Sequence, residues 1–333
     1  MATADDEYEI SKKLPSDAVV THTESNPLRE ALRPVPTTAV FSMEGWCLWD
    51  PSLIKVGDTY HLFCSRWPRE GHSSVNRGWM RGHVIRATSK NLFGPYEFQE
   101  VVLRPETHPW ATTGVHNPKI TRVGDRFLLY HLGIPGWSTG FAYADSIDGP
   151  WEPLPEPVVK ANNPALLIHD DGSAYLVSKH KPKPTQDGRW DACLKAHVAE
   201  HVDGPYRTLG EGRNRLPYDL ELEDPTLWWA NDQYNIICND WEGKATGIQK
   251  AVVYYTSKNG IDYELYSDIP VWSQADPIPL EDGTELQVSR VERAQVYLDE
   301  NKDFVALLAA CSVEQFSHDY IVIRPVDRFV PGN

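Results

Sequence analysis

Five times along the chain a polar residue introduces a short apolar run, four times through a proline. The copies are Trp49-Asp50-Pro51-Ser52-Leu53-Ile54, His116-Asn117-Pro118-Lys119-Ile120, Asn162-Asn163-Pro164-Ala165-Leu166, Glu223-Asp224-Pro225-Thr226-Leu227 and the degraded Glu292-Arg293-Ala294-Gln295-Val296. Counted at positions 50, 117, 163, 224 and 293, they lie 67, 46, 61 and 69 residues apart, steps typical of one repeated supersecondary unit. A turn and a second apolar or aromatic run follow each copy, in VGDTYHLFCSRW, VGDRFLLYHLG, DDGSAYLVSKH, NDQYNIICNDW and ENKDFVALLAAC. Gly-Asp, Asp-Gly and Asn-Asp between such runs are hairpin chemistry, because they tolerate the positive φ of tight turns. Third strands and turns come next in RATSKNLFGPY, AYADSIDGPW, HVAEHVDGPY and YYTSKNGIDY, with Gly-Pro-aromatic triplets at Gly94, Gly149 and Gly204, two steps of 55 residues. Such units cannot bury both faces alone. Stacked radially they can, so five copies predict an all-β chain folded as a five-bladed β-propeller.

Residues 1–40 are polar and proline-dotted, with one short helical stretch over Pro27-Leu28-Arg29-Glu30-Ala31-Leu32, and read as an N-terminal extension that wraps the outside or helps close the ring. Residues 41–333 read as a single propeller domain, with blades over about 41–100, 101–155, 156–210, 211–270 and 271 to the end, where YIVIRPVDRFV supplies a last strand. Two inserts stand out: SRWPREGHSSVNRGWMRGHV in blade one, richer in Arg, His and Trp than a hairpin loop needs, and the basic KHKPKPTQDGRW in blade three.

Composition narrows the partners. The 12 Trp, 15 Tyr and 9 Phe can fill the spaces between blades, and 26 Pro with 22 Gly suit many turns and few helices. A net charge of −15 speaks against nucleic acid or an anionic membrane as partner, since phosphate binding needs a basic face. The acidic N-terminus lacks the basic start and apolar core of a signal peptide, and no stretch approaches the roughly 20 apolar residues that cross a bilayer, so a cytoplasmic location is expected. The odd, scattered cysteines Cys47, Cys64, Cys193, Cys238 and Cys311 read as reduced, buried apolar residues, and no Cys/His spacing suggests zinc.

In a propeller the first strand of each blade lines the central channel, so the five openings are expected around one axis. Asp or Asn before Pro is ordinarily a turn signal whose side chain bonds local backbone N–H groups. That leaves Glu223 and Glu292 without a reason, because glutamate has no turn preference. Carboxylates crowded at one channel mouth raise each other's pKa, at a cost in stability that marks chemistry.

WDPSLIKVGDTYHL resembles the blade-one motif of five-bladed glycoside hydrolases of the family 43 type and its clan, in which the Asp directly before Pro is the general base. Glu223-Asp224-Pro225 is similar to that group's Glu-Gly-Pro, whose Glu is the general acid, and the Gly-Pro-aromatic turns look like it as well. The resemblance implies a glycosidase acting by inversion, with Asp50 as base and Glu223 as acid about 6.5 to 9.5 Å apart. The family's third carboxylate, which tunes the acid, falls on Asn163; Glu292, counted as a third catalytic residue, and Asp224 are the candidates to replace it. Arg290-Val291-Glu292-Arg293 looks like a motif of more distant propeller hydrolases, which suggests a divergent family in the clan.

The candidate substrate-binding residues follow from side-chain chemistry. Trp46, Trp49, Trp67 and Trp110 offer flat apolar faces to sugar rings, against the plainer role of filling gaps between blades. Arg66, His72, His116 and Arg293 could orient hydroxyls or an acidic substituent, and Asn117, Asn163 and Asp224 complete the set. No cofactor is expected to be required; the resemblance allows a channel cation such as calcium, with His116 as the nearest ligand. Three function classes stay open: an exo-acting glycosidase releasing a terminal sugar from an oligosaccharide, its pocket closed by the blade-one insert; a glycoside phosphorylase holding phosphate with Arg66, Arg290, Arg293 and Lys179; and a propeller that only binds glycan or protein. The sugar, its linkage and the oligomeric state are not readable from these residues.

Overall fold

In the computed structural model, which describes residues 20–73, 77–179, 194–209, 221–313 and 318–329, each repeat copy forms the first strand of its own sheet. Blade one runs Trp46–Val56, Thr59–Pro68, His83–Ser89 and Glu97–Leu103 in simple antiparallel order. Blade two repeats it with Gly114–Val123, Arg126–Ile134, Ser138–Ala144 and Glu152–Pro153. Blade three has Asn162–Ile168, Ala174–Lys179, Leu194–Ala199 and Arg207–Thr208. Blade four has Leu222–Ala230, Gln233–Asp240, Ala251–Ser257 and Glu264–Ser267, and Val20–His22 adds a parallel fifth strand to its edge. Blade five has Arg290–Leu298, Phe304–Ser312 and Asp319–Phe329, and takes Val40–Phe41 as its fourth strand. The polar N-terminal stretch therefore does strand work in two blades. Its helical turn, Pro27–Ala31, is present, capped by Asn26 accepting from the Leu28 N–H.

Contacts divide the chain into two compact units. Ala31–Pro164 with Gln274–Phe329 carries blades one, two and five. Between blades one and two its core closes over Phe63, Val84, Leu103, Val115, Phe127 and Leu129, with Trp151 edge-on to Phe63 at 5.7 Å. Ala165–Ser273, with residues 20–30, carries blade four and most of blade three around Tyr175, Val177, Leu222, Ile236, Val253 and Leu265. Every second residue of these strands points into such a core, the physical content of the alternation in the sequence.

The Gly-Pro-aromatic triplets also have a physical reason. Gly94, Gly149 and Gly204 stand at φ 75°, 84° and 87°, and each precedes a cis proline. Tyr96 and Tyr206 then turn back to donate from their hydroxyls to the carbonyls of Leu92 and Val202, at 2.9 and 2.6 Å. At Gly94 a side chain is excluded outright, because a Cβ would stand 2.2 Å from the Thr38 carbonyl oxygen.

The repeat's polar residue is a bulge and not a turn. Asp50, Asn117, Asn163, Asp224 and Arg293 have φ of 57°, 54°, 47°, 60° and 59° inside first strands. Register breaks there in four described ladders, between Trp49 and Ser52, His116 and Lys119, Glu223 and Thr226, and Glu292 and Gln295. Proline cannot donate to a ladder, and a left-handed residue ahead of it lets the strand skip one pairing. Asn and Asp tolerate that region best among residues with a Cβ, so four copies carry them. Arginine has no such tolerance, and Arg293 holds this conformation for some other reason.

Candidate active site

The bulge at Asp50 turns its carboxylate inward, 2% exposed, with bonds to distant residues where a turn would use local ones. Its Oδ2 accepts from the Ser65 hydroxyl at 2.6 Å and from the backbone N–H of Asn117 at 3.0 Å, 67 residues away in the next bulge. The same N–H also lies 3.0 Å from Ser65 Oγ. Each bulge skips a pairing and frees a backbone donor, and blade two spends its freed donor on blade one's carboxylate. Asn117 in turn donates from Nδ2 to Asn163 Oδ1 at 3.2 Å, so the openings of blades one, two and three form one buried polar chain. Oδ1 of Asp50 accepts no hydrogen bond.

Arg293 supplies the missing reason for its backbone. Its Nε lies 3.0 Å from Asp50 Oδ1, an ion pair between a guanidinium side chain 16% exposed and a carboxylate side chain 2% exposed. Glu292, also buried, stands 3.7 Å from Arg290 Nη1. His116 is buried, with Nδ1 3.9 Å from Asp50 Oδ2. Burial pushes its pKa down to about 4, outweighing the upward pull of Asp50, so at neutral pH the ring is uncharged.

In the other unit, Glu223 is paired with Lys179, whose Nζ also lies 3.4 Å from Glu221 Oε1 and 5.7 Å from the centre of the Trp241 ring. Asp224 is buried in the bulge beside it. Each of the three carboxylates has a cationic partner: Asp50 meets Arg293, Glu292 meets Arg290, and Glu223 meets Lys179.

The remaining expected residues spread out. Arg66 has two aromatic neighbours, its guanidinium carbon 4.0 Å from the centre of the Trp46 ring and 4.8 Å from that of Phe98. Trp49 is buried opposite Ser65 in blade one, and Trp67 is buried edge-on to His72 at 5.5 Å. Trp110 stacks on His131 at 6.0 Å and sits over Gly133 and Gly140, where a Cβ would collide with its ring. It fills a gap within blade two. The basic loop of blade three and Cys193 lie outside the described residues; Cys47, Cys64, Cys238 and Cys311 are free and buried. No helix among the described residues is long and apolar enough to cross a membrane.

Sequence reasoning missed Ser65, Trp79 and Trp137. Ser65 meets Asp50 only because the bulge offsets their strands, which no local pattern reveals. Trp79, in the blade-one insert, packs edge-to-face on His116 at 5.7 Å, and Trp137 meets both at 5.7 and 6.5 Å. The insert's Trp content was the available signal for the first; Trp137 had none.

The carboxylate described at the His116 ring is Asp50, held by Ser65, the Asn117 N–H and Arg293. Among the described residues, the one grouping of three metal-competent side chains is Cys47, His72 and Asp319. There His72 Nδ1 accepts the Gly78 N–H at 2.9 Å, which places the ring proton on Nε2 and leaves no lone pair for a metal. The Cys47 thiol bonds to Asp319 and, with burial, is pushed far above its ordinary range, so it stays protonated.

Comparison with known proteins agrees with this architecture. The sequence profile of Glycosyl hydrolases family 43 matches residues 46–278. A curated relative, the xylosidase/arabinosidase 43A of Humicola insolens, is 27% identical over 151 residues, 41% of this chain and 43% of that protein. A xylan 1,3-beta-xylosidase of a Vibrio species is 29% identical over 147 residues, 39% of this chain and 24% of its own. The chain thus spans less than half the length of the curated relatives it matches. A solved GH43_1 enzyme from Xanthomonas citri superposes with a TM-score of 0.61 at 17% identity, over 92% of this chain and 95% of that one. The shared fold is the five-bladed β-propeller.

Proposed function

The chain belongs to glycosyl hydrolases family 43, and from that premise we propose that it is an exo-acting, inverting glycosidase that releases a terminal pentose, a β-xylosyl or α-arabinofuranosyl residue, from an oligosaccharide. The observation that carries the reading is the setting of Asp50. A base must be ionised, oriented and left with a free lone pair. Ser65 and the Asn117 N–H hold Oδ2, Arg293 stands opposite Oδ1 as its counter-charge at 3.0 Å, and Oδ1 has no hydrogen bond to lose.

In this reading Asp50 takes a proton from water as the water oxygen bonds to the anomeric carbon. Glu223 gives its proton to the leaving glycosidic oxygen as that bond breaks, so the configuration inverts and both carboxyl groups exchange charge states. Glu223 donates from its neutral form, which offers Lys179 no charge. Glu221, already within reach of the same ammonium, then keeps Lys179 in place. Glu292 acts indirectly here, holding Arg290 and so the charge balance of the strand that presents Arg293. The choice of pentose rests on the names of the two curated relatives. The phosphorylase alternative has less support, since Arg66 lies against the Trp46 and Phe98 rings while Arg290, Arg293 and Lys179 face carboxylates.

The test is turnover of 4-nitrophenyl β-xyloside and α-arabinofuranoside by the wild-type protein, Asp50→Asn and Glu223→Gln. Losses in kcat of about 10²-fold or more in each variant, with fold retained, are expected for a missing base or acid. Turnover that requires phosphate would mark a phosphorylase, and wild-type activity in either variant would remove that residue from its role.

A further inference from the structure

We propose that Trp79 and Trp137 form a second saccharide-binding subsite, which takes the sugar ring on the far side of the scissile bond from the released residue. It rests on the glycosidase reading and extends it to the leaving group. A single contact path leads outward from the base. Asp50 is 2% exposed, His116 touches it at 3% exposed, Trp79 and Trp137 meet edge-to-face at 5.7 Å, and Trp137 is 39% exposed. Burial along that path falls in the order in which a substrate entering from solvent would meet it. The reacting carbon belongs at its closed end and the distal ring at its open end.

Two features single out Trp137 from an incidental surface aromatic. It stands at φ 52° in the turn between Ile134 and Ser138, a left-handed conformation that bulky residues rarely adopt and that costs on the order of 1–3 kcal/mol where it occurs. Glycine would sit there without strain, so the position keeps a tryptophan against backbone preference. The second feature is His116. Its ring is neutral, its centre 5.7 and 6.5 Å from those of the Trp79 and Trp137 rings, and its Nε2 is buried without a hydrogen-bond partner. Buried polar atoms are seldom left so, and a sugar hydroxyl would satisfy this one. Flat apolar faces beside one polar atom match a sugar ring, whose axial C–H face is apolar and whose rim is hydroxyl.

The experiment compares xylobiose with methyl β-xylopyranoside, whose leaving group has no ring, in the wild-type protein, Trp137→Gly, Trp137→Tyr and, as a control, Trp229→Ala, an exposed tryptophan of blade four. Glycine suits the turn, so folding is preserved. The ratio of kcat/KM for xylobiose over the methyl glycoside should fall about tenfold in Trp137→Gly, the worth of one aromatic contact, through KM rather than kcat. Tyrosine should restore most of it, and Trp229→Ala should leave the ratio unchanged. Binding is read independently from quenching of tryptophan fluorescence by xylotriose, expected to weaken in Trp137→Gly by the same factor. An unchanged ratio, or equal losses on both substrates, overturns the subsite. Should the wild type cleave neither substrate, the glycosidase reading fails by itself, and the subsite stands or falls on the titration: xylotriose that binds both proteins equally, or neither, rejects it.

Discussion

At the scale of single residues, what distinguishes this chain is how it compensates buried charge. Asp50 and Arg293 are both largely withdrawn from solvent, and removing one member of such a pair leaves the other uncompensated, a loss of about 3–5 kcal/mol. Arg293→Gly separates two effects, because it relieves the left-handed backbone while deleting the charge. We expect lower stability despite the relieved strain, together with lost turnover; a urea midpoint at or above that of the wild type would show that Arg293 serves only the bulge. The amide chain makes a second distinction. Asn117 donates to Asn163 Oδ1, so Asn117→Asp sets two acceptor oxygens against each other and should cost about 1–3 kcal/mol, whereas Asn163→Asp keeps its acceptor. Thermal melts of the two variants should rank Asn117→Asp as the less stable.

At the scale of the element, one device is used five times. A left-handed residue stands in the first strand of every blade, register breaks at it in the four described ladders, and at Asn117 the freed N–H serves Asp50. That converts a repeat built for packing into one that presents chemistry, and the last copy keeps the conformation with an arginine in place of Asp or Asn. The strands around the bulges are held by the packing between blades. Phe63, fully buried between blades one and two against Trp151, belongs to the strand that carries Ser65. Phe63→Ala should cost about 3–5 kcal/mol by leaving a cavity there. Chemical denaturation checks the stability loss. The same variant should lose turnover at temperatures where circular dichroism still reports native strands, since Ser65 is no longer held against Asp50.

For the whole molecule, the acid response follows from its buried histidines. Burial chiefly holds His61, His108 and His116 at a pKa of about 4 and His131 at about 3. His108 and His131 meet Nε2 to Nε2 at 3.0 Å, and the Ala111 N–H donates to His108 Nδ1, so one neutral ring donates to the other and neither site has room for a second proton. The unfolded chain takes up protons at these positions near pH 6.5 and the folded chain does not. Stability conferred by the neutral rings is therefore complete above about pH 6.5 and is lost as pH falls toward about 4. Urea unfolding between about pH 6.5 and 5, above the range of most carboxylates, should show stability falling with pH, with a slope that shrinks when His108 and His131 are both replaced by leucine. A flat profile would contradict the neutral-ring assignment.

Several features were legible in the chain by itself, because they depend on periodicity and local conformation. Alternation and the five-fold repeat determined an all-β, five-bladed fold, Gly-Pro-aromatic triplets marked the blade turns, and Asp or Asn before proline marked four of the five special backbone positions. The charge partners were not legible. Arg293 reaches Asp50 across 243 residues and Lys179 reaches Glu223 from another blade, and a sequence shows carboxylates without showing which cation each faces. Nor could it sort the tryptophans: Trp46 and Trp110, chosen as sugar platforms, pack against Arg66 and His131, while Trp79 and Trp137 converge on His116. Conformation travels with the local residue, but encounter is set by register offset and packing, and only the folded chain decides those.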